Sequence, residues 1–444
     1  SARWRDLATM LACLVMLSAV ALYNRYPLVY ADTGSYLKPE NFPPRSFFYN
    51  AFIAPARLTG TLWTVVPVQA VLTVFMLRLV LREVFGIASR LEFLAIVAVL
   101  CLFTSLPWIV GFVMPDIFTP MLVLGIFLLV FRFERLGRWE RYGVIALTFV
   151  SIVVQYSHPP LAIALIIACI AIRLVREGRE SISLSHQAVA ALLSIGGVAA
   201  IIILNYRMIG MATFSPGGYA FELSRLVEDG SAVAFLRDHC PTRNYAACAY
   251  LPRMPMTSTD FLWAPDSIFH RVGFIEERNE GMEIVAGTIR EHPLWVAKDA
   301  IADTASQLYL VETGVGLDAA ATNVTTLEPI QLYYPDDVRA FVTSRQGRGD
   351  LLHPEALQKL DLAFAFASIC ACCFVAALFA RDREWPPLEL MLTVACAIVL
   401  NAFVTGAISQ PHPRYGARLI WLVTLIALAS WRKSWSVTDA RRVI

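Results

Sequence analysis

Apolar runs of about 20 residues recur along this chain, and that is the length an α-helix needs to cross the hydrocarbon core of a bilayer. They lie near 7–29, 61–81, 91–113, 117–133, 142–156, 160–175, 187–209, 359–380, 388–408 and 416–431. In lipid every backbone N–H and C=O must be satisfied within the segment, so runs of this kind fold as helices. The expected fold is an all-α polytopic membrane protein with about ten transmembrane helices. Composition agrees. Of 444 residues, 57% are hydrophobic and 16% charged, where a soluble domain carries about 25% charged residues; mean hydropathy is +0.59. The first run lacks a small-residue cleavage site and is longer than a signal-peptide core, so it is expected to remain as a helix.

Arginines set the expected orientation. Arg3 and Arg5, Arg82 and Arg90, Arg132 to Arg141, Arg173 to Arg179, Arg381 and Arg383, and Arg432 to Arg442 fall in alternate loops. Cytoplasmic loops collect Lys and Arg, which assigns these loops and both termini to the cytoplasm. A bacterial inner membrane is the expected location, with chemistry on the periplasmic side. That opposite side receives 31–60, 107–116, 157–160, 210–358 and 410–416. Three regions follow. Residues 1–209 form an N-terminal membrane domain of about seven helices, with an outer loop and a short aromatic interfacial helix within 31–60. Residues 210–358 form a mostly helical extracytoplasmic domain, with helical periodicity over 219–239, 267–291 and 294–312. Residues 359–444 add about three more membrane helices.

Several function classes drop out. A net charge of +2, with no basic patch interleaved with aromatics, excludes a nucleic-acid partner. The cytoplasmic loops are short and lack a glycine-rich phosphate loop, so a soluble nucleotide donor has no site there. Cys240 and Cys248 stand eight positions apart in the hydrophilic region. In an extracytoplasmic compartment they form a disulfide. Glu276, Glu277, Glu280 and Glu283 are read as a solvated helix face, and Asn323-Val324-Thr325 matches a glycosylation triplet. No zinc-ligand spacing occurs. No metal ligand is assigned, the cofactor is left unknown, and a divalent cation is left open.

The residues capable of chemistry gather on the outer side. Asp32 follows the first apolar run directly, with Tyr36 one helical turn on, so the two share a face. Asp116 follows Pro115 at the outer start of a helix, and His158 stands in Ser157-His158-Pro159-Pro160. The last helix opens on His412-Pro413-Arg414-Tyr415-Gly416-Ala417-Arg418. Arg414 and Arg418 share a face and run against the positive-inside trend, which suits them to an anion such as a lipid phosphate. Arg57, in the outer loop, is a further candidate cation. Plainer roles stand beside these: Asp32 and Asp116 as helix N-caps, His158 as a turn residue, Arg414 reaching for lipid headgroups.

Asp32-Thr33-Gly34-Ser35-Tyr36 after the first helix, Asp116 in a later outer loop, and Pro411-His412-Pro413-Arg414-Tyr415 before a late helix resemble motifs of the GT-C superfamily of integral-membrane glycosyltransferases. That superfamily includes the protein O-mannosyltransferases, the lipid A aminoarabinose transferases and the oligosaccharyltransferase catalytic subunits. The likeness covers the membrane layout of nearly the whole chain. It implies a GT-C-like fold and transfer of a sugar from a polyprenyl-phosphate-linked donor to a glycolipid, polysaccharide or protein acceptor. Asp32 would be the general base, and Asp116 and His158 further catalytic groups. Tyr36, Arg57, His412, Arg414, Tyr415 and Arg418 would bind substrate. The expected partners are membrane lipids, the lipid-linked donor and the acceptor. Two departures stand out: Thr33 follows Asp32 where Asp-Glu is frequent, and the hydrophilic domain precedes the last three helices rather than following them. A lipid or glycan transporter or flippase, or a non-catalytic scaffold with the same layout, are the alternatives.

Overall fold

The computed structural model describes residues 2–38, 44–177, 185–317, 324–351 and 354–442, and these are folded into helices. Among them, β pairing is confined to one isolated parallel bridge between Leu28 and Phe112. Asn323 of the glycosylation triplet and Arg179 lie outside the described residues.

Six helices are long and apolar enough to cross a membrane: Leu62–Phe85, Pro115–Arg135, His158–Arg176, Gln187–Ile209, Gln358–Asp382 and Trp385–Ala407. They fit an integral membrane protein. The four other apolar runs are helical too, but shorter, interrupted or more polar. The first divides at Ser18 into Ala2–Leu17 and Ala19–Asn24. The third divides at Thr104 and Ser105 into Arg90–Phe103 and Leu106–Gly111. The fifth is the 16-residue helix Arg138–Val153. The last belongs to Pro413–Arg442, whose first turns carry Arg414 and Arg418.

Pro115–Arg135 is the central helix. Some 89% of its apolar window is buried by neighbours, against 22% for Gln358–Asp382 and 28% for Gln187–Ile209. A helix apolar on every side belongs in the middle of a bundle, whereas one that keeps most of its apolar surface bare meets lipid. Trp385–Ala407 joins the two ends of the bundle. Near its start, the fully buried Glu389 takes a 2.7 Å ion pair from buried Arg132 and a second from Arg176. Near its other end the backbone widens into a π-helical turn over Phe403–Ala407. Such turns rearrange the regular ladder of hydrogen bonds and often mark functional positions.

The inserted region divides between two cores. Residues 219–285 build their own apolar cluster around Leu223, Leu226, Phe261, Phe269 and Ile284. The later part instead joins the core of the membrane bundle through Leu317, Ile330, Tyr334 and Phe341. Polar ties hold it there. Asp337 Oδ2 accepts from Tyr26 Oη at 2.9 Å, from the Leu62 amide at 2.8 Å and from Thr61 at 3.1 Å. The Gln346 side chain pairs with both backbone groups of Val29.

The expected helices of this region form with breaks. A left-handed Gly230 (φ 87°) separates Gly218–Glu228 from Ser231–His239, and Gly273 (φ 110°) follows Ile268–Arg271, ahead of Arg278–Glu291. Glycine tolerates positive φ without a Cβ clash. The third forms unbroken as Pro293–Tyr309. Cys240 and Cys248 are bonded, as expected, with Cα atoms 5.7 Å apart. The acidic run is not a uniformly solvated face. Glu277 is buried, and its carboxyl is pushed up to about 8 by burial, with Glu280 adding like charge. Glu280 accepts from the Ala247 amide, and Glu283 pairs with Arg243 at 3.0 Å.

The outer loop after the first helices is folded inward. Phe47–Ile53 is capped by Ser46, which accepts from the Phe48 amide. It buries Phe47, Tyr49 and Ile53, with Phe52 edge-on to Phe118 of the central helix at 4.9 Å. Removing one partner of a buried ion pair strands the other charges, at about 3–5 kcal/mol. Glu389→Ala is therefore expected to lower the thermal unfolding midpoint in detergent by several degrees. An unchanged midpoint would show that Arg132 and Arg176 are held by other groups.

Candidate functional site

One end of the helix bundle brings five charged side chains into one alternating row. Arg45 Nη2 lies 2.6 Å from Asp32 Oδ1. The Arg414 guanidinium reaches Asp32 Oδ2 at 3.3 and 3.4 Å. On its other side, Arg414 Nε lies 3.5 Å from Asp116 Oδ1, and Arg418 Nη1 lies 3.9 Å from the same oxygen. The order is Arg45, Asp32, Arg414, Asp116, Arg418: three cations enclose two anions, leaving a formal excess of one positive charge.

Local structure explains each position. Asp32 precedes the short helix Thr33–Leu37, yet its side chain makes no capping bond. The carboxylate is left to the arginines. Gly34 lies so close under the Thr325 carbonyl that a methyl group would overlap it. Asp116 sits in the tight turn Pro115–Ile117 and is about 1% exposed, with no hydrogen bond to either carboxylate oxygen among the described residues. Arg418 is fully buried and donates to Asn401 Oδ1 at 2.6 Å and Gln155 Oε1 at 3.4 Å. Tyrosine rings cover the row. The Arg414 guanidinium lies 4.3 Å from the Tyr30 ring centre, and that of Arg418 5.1 Å from Tyr415. A cation over an aromatic face gains from the ring's electron density, more so when desolvated.

A cavity of about 630 Å³ opens against this row. One wall is polar: Asp32, Tyr36, Arg45, Arg414 and Tyr415. The rest of the lining is largely apolar, from Phe214, Phe221, Met282, Val285 and Ile289 of the inserted region, with Glu222 and Arg278 among them, and from Val404 and Ile408 at the π-helical turn. A concave, mostly apolar cavity with a few convergent polar groups is the usual form of a ligand site. Burial pushes the Asp32 carboxyl up, but Arg45 and Arg414 outweigh it and hold the group below the usual carboxylate range. Glu222, on the inserted-region side, is held above that range by burial, with Arg225 counteracting.

Most of the residues expected from sequence meet here, and two do not. Asp32, Tyr36, Arg414 and Tyr415 line the cavity; Asp116 and Arg418 stand directly behind it. His158 is one of the two. It is fully buried, with Nε2 against Thr119 Oγ1 at 2.8 Å and Nδ1 against the Ser151 carbonyl. Both ring nitrogens are engaged within the bundle, and His158 is not part of the cavity lining. Arg57 is the other. It donates to the Leu37 carbonyl at 2.7 Å and lies over the Tyr333 ring, away from the cavity. The sequence reading passed over Arg45, Gln155, Asn401 and Glu222. Arg45 had a usable signal: like Arg414, it is an arginine directly beside an apolar segment, in a loop that the arginine pattern of the sequence does not assign to the cytoplasm.

Among the described residues no group of three or more His, Cys, Asp or Glu side chains could hold a metal ion. The acidic groups of the row already face guanidinium groups, so the donor set does not suit a divalent cation. Comparisons with family models, with curated proteins and with solved structures find no match to this chain.

His412 closes the row at the mouth. Its Nδ1 accepts the Arg414 backbone N–H at 3.2 Å, so Nε2 carries the proton and donates to Tyr30 Oη at 3.1 Å. Burial lowers its pKa to about 4, helped by Arg414 and opposed by Asp32 and Asp116. The folded state thus prefers a neutral ring. Its stabilising effect is complete above the ordinary value of 6.5 and is lost as pH falls towards 4. Between these limits wild type should lose up to about 1.4 kcal/mol per pH unit more than His412→Gln. Unfolding midpoints measured from pH 7 to 4 test this, and parallel curves would mean that His412 takes up its proton over the same pH range folded and unfolded.

Proposed function

We propose that this protein is a membrane glycosyltransferase of GT-C type. It moves a sugar from a polyprenyl-phosphate-linked donor to an envelope glycolipid, polysaccharide or protein. In this reading ten helices cross a bacterial inner membrane, both termini are cytoplasmic, and the cavity faces the periplasm. The observation that carries the proposal is the row of three arginines and two aspartates set at and behind the wall of a mostly apolar cavity. The excess positive charge favours an anion, and the apolar wall favours a substrate with a hydrocarbon part. The sequence likeness of the Asp32 and Arg414 motifs supports the same reading.

The chemistry needs two things from the protein. A hydroxyl of the acceptor attacks the anomeric carbon of the donor sugar, the bond from that carbon to the phosphate oxygen breaks, and the hydroxyl proton must go to a base. Asp32 is that base, because its carboxylate is ionised and is the more exposed of the two acids in the row, at 22% against 1% for Asp116. The departing phosphate gains negative charge, which Arg45 and Arg414 stabilise by charge-assisted hydrogen bonds. Asp116 and Arg418 hold Arg414 in place from behind. A guanidinium presents a planar pair of donors that an ammonium lacks.

Mass spectrometry of envelope glycolipids and polysaccharides from deletion cells tests the proposal. A sugar-sized mass should vanish in the deletion strain and return with wild type. Asp32→Asn should restore it at a rate about 10²–10⁴-fold lower, and Arg414→Lys should also fail to restore it fully. Full restoration by Asp32→Asn would remove the base assignment. An unchanged glycan profile in the deletion strain would remove the transferase reading.

A further inference from the structure

The helix Pro293–Tyr309 is amphipathic in the opposite sense to a helix in a water-soluble domain. Leu294, Ile301 and Leu308 recur every seven residues and so share one line along the helix. Leu294 is 85% exposed, Ile301 72%, Leu308 40%, and Tyr309 beside them 82%. Asp299, Asp303 and Gln307 recur every four and are turned toward the protein. Asp303 pairs with Arg225 at 3.1 Å, and the Gln307 side chain donates to the His412 carbonyl while accepting the His412 amide. In water this arrangement would bare the apolar side and bury the charges.

We propose that this helix lies in the membrane interface at the cavity end of the bundle, with Leu294, Ile301, Leu308 and Tyr309 among lipid acyl chains. The position of the helix fits that occupant. It crosses the ends of two bundle helices: the Asp303 carbonyl rests on Gly406 of the π-helical turn, and the Leu310 carbonyl on Gly416 in the first turns of the last helix. The helix therefore lies at the depth where the apolar surface of the bundle ends. The spanning helix beneath it is itself bare at Val399 and Phe403, residues that a membrane protein presents to lipid. Lys298 is the one cation within the exposed face, and its stem is long enough to carry the ammonium to the headgroups. Trp295 and Tyr309 mark the two ends, as aromatic residues do at membrane–water interfaces. The lipid surface thus continues from the bundle onto the inserted region, without depending on the glycosyltransferase reading.

A photo-crosslinking amino acid placed singly at Ile301 or Leu308 in the full chain tests this. The protein would be reconstituted in nanodiscs of phosphatidylethanolamine and phosphatidylglycerol, irradiated, and analysed by mass spectrometry. Ile301 is largely exposed, so the probe there displaces no packed neighbour, while Leu308 reports from the half-buried edge of the same face. Ile195, exposed on the spanning helix Gln187–Ile209, is the lipid-facing control; Arg253, on the separate cluster of the inserted region, is the water-facing one. Phospholipid adducts at Ile301 and Leu308 are expected near the Ile195 level and about tenfold or more above Arg253, as an interfacial helix requires. Adducts at the Arg253 level would overturn the proposal. So would crosslinked protein dimers in place of lipid adducts, which would assign the face to a second copy of the chain.

Discussion

The alternation of charge from Arg45 through Asp32, Arg414 and Asp116 to Arg418 is the interaction on which the upper half of this structure depends. Charges taken out of water lose several kcal/mol of hydration each, and pairing repays that loss only with close geometry and further hydrogen bonds. Here the repayment is incomplete. Asp116 has ion-pair contacts at 3.5 and 3.9 Å but no hydrogen bond among the described residues, and the Nε atoms of Arg414 and Arg418 lack one too. Hydrophobic residues of similar size would fill the same space at lower cost. A row that holds five charges on such terms belongs more naturally to a binding site than to a packing core.

Keeping the row together requires backbone from three distant stretches to converge, and the surrounding fold is arranged to that end. The 31–45 stretch is held by Thr33, whose hydroxyl bonds the Val113 carbonyl, and by close contact between Gly34 and Thr325. The Asp116 turn is fixed by the central helix it starts. The 412–418 stretch is held by Gln307 from above and by Asn401, which donates to the Tyr415 carbonyl and accepts from Arg418. The inserted region is therefore not an appendage. Its later part supplies Thr325 and Gln307 to the frame, while its earlier part supplies much of the cavity's apolar lining.

The sequence made the membrane class legible because lipid imposes a length and an apolarity that few other environments demand. It did not reveal where a run would break, since Ser18 and the Thr104-Ser105 pair look harmless inside apolar stretches. Asp32 and Arg414 were legible one by one, each polar at an outer helix end. Their pairing was not, because 382 positions separate them and nothing local records the contact. Arg45 was obscured by the aromatic segment that follows it. His158 misled for the converse reason. A histidine before two prolines reads as a turn residue, but the helix begins at His158 itself, and the partners of its ring, Thr119 and Ser151, lie on two other helices. Glu277 was read with its neighbours as a solvated run, although only the fold decides which residue of a run turns inward.

The same row makes a specific demand on the proposed chemistry. A carboxylate between two guanidinium groups is a weak base, because each cation lowers its affinity for a proton. Asp32 could not take a proton readily while Arg45 and Arg414 are both devoted to it. A phosphate entering the cavity competes for those same two arginines, and every contact it wins from them raises the proton affinity of Asp32. The anion that must leave would thus prepare the base that the acceptor needs. Asp116 and Arg418 make the exchange tolerable, since Arg414 keeps one carboxylate partner throughout and does not have to swing free. In this reading the excess positive charge and the depressed basicity of Asp32 are one property. Before the donor arrives the row is over-supplied with cations, and after it arrives the charges balance with the base released.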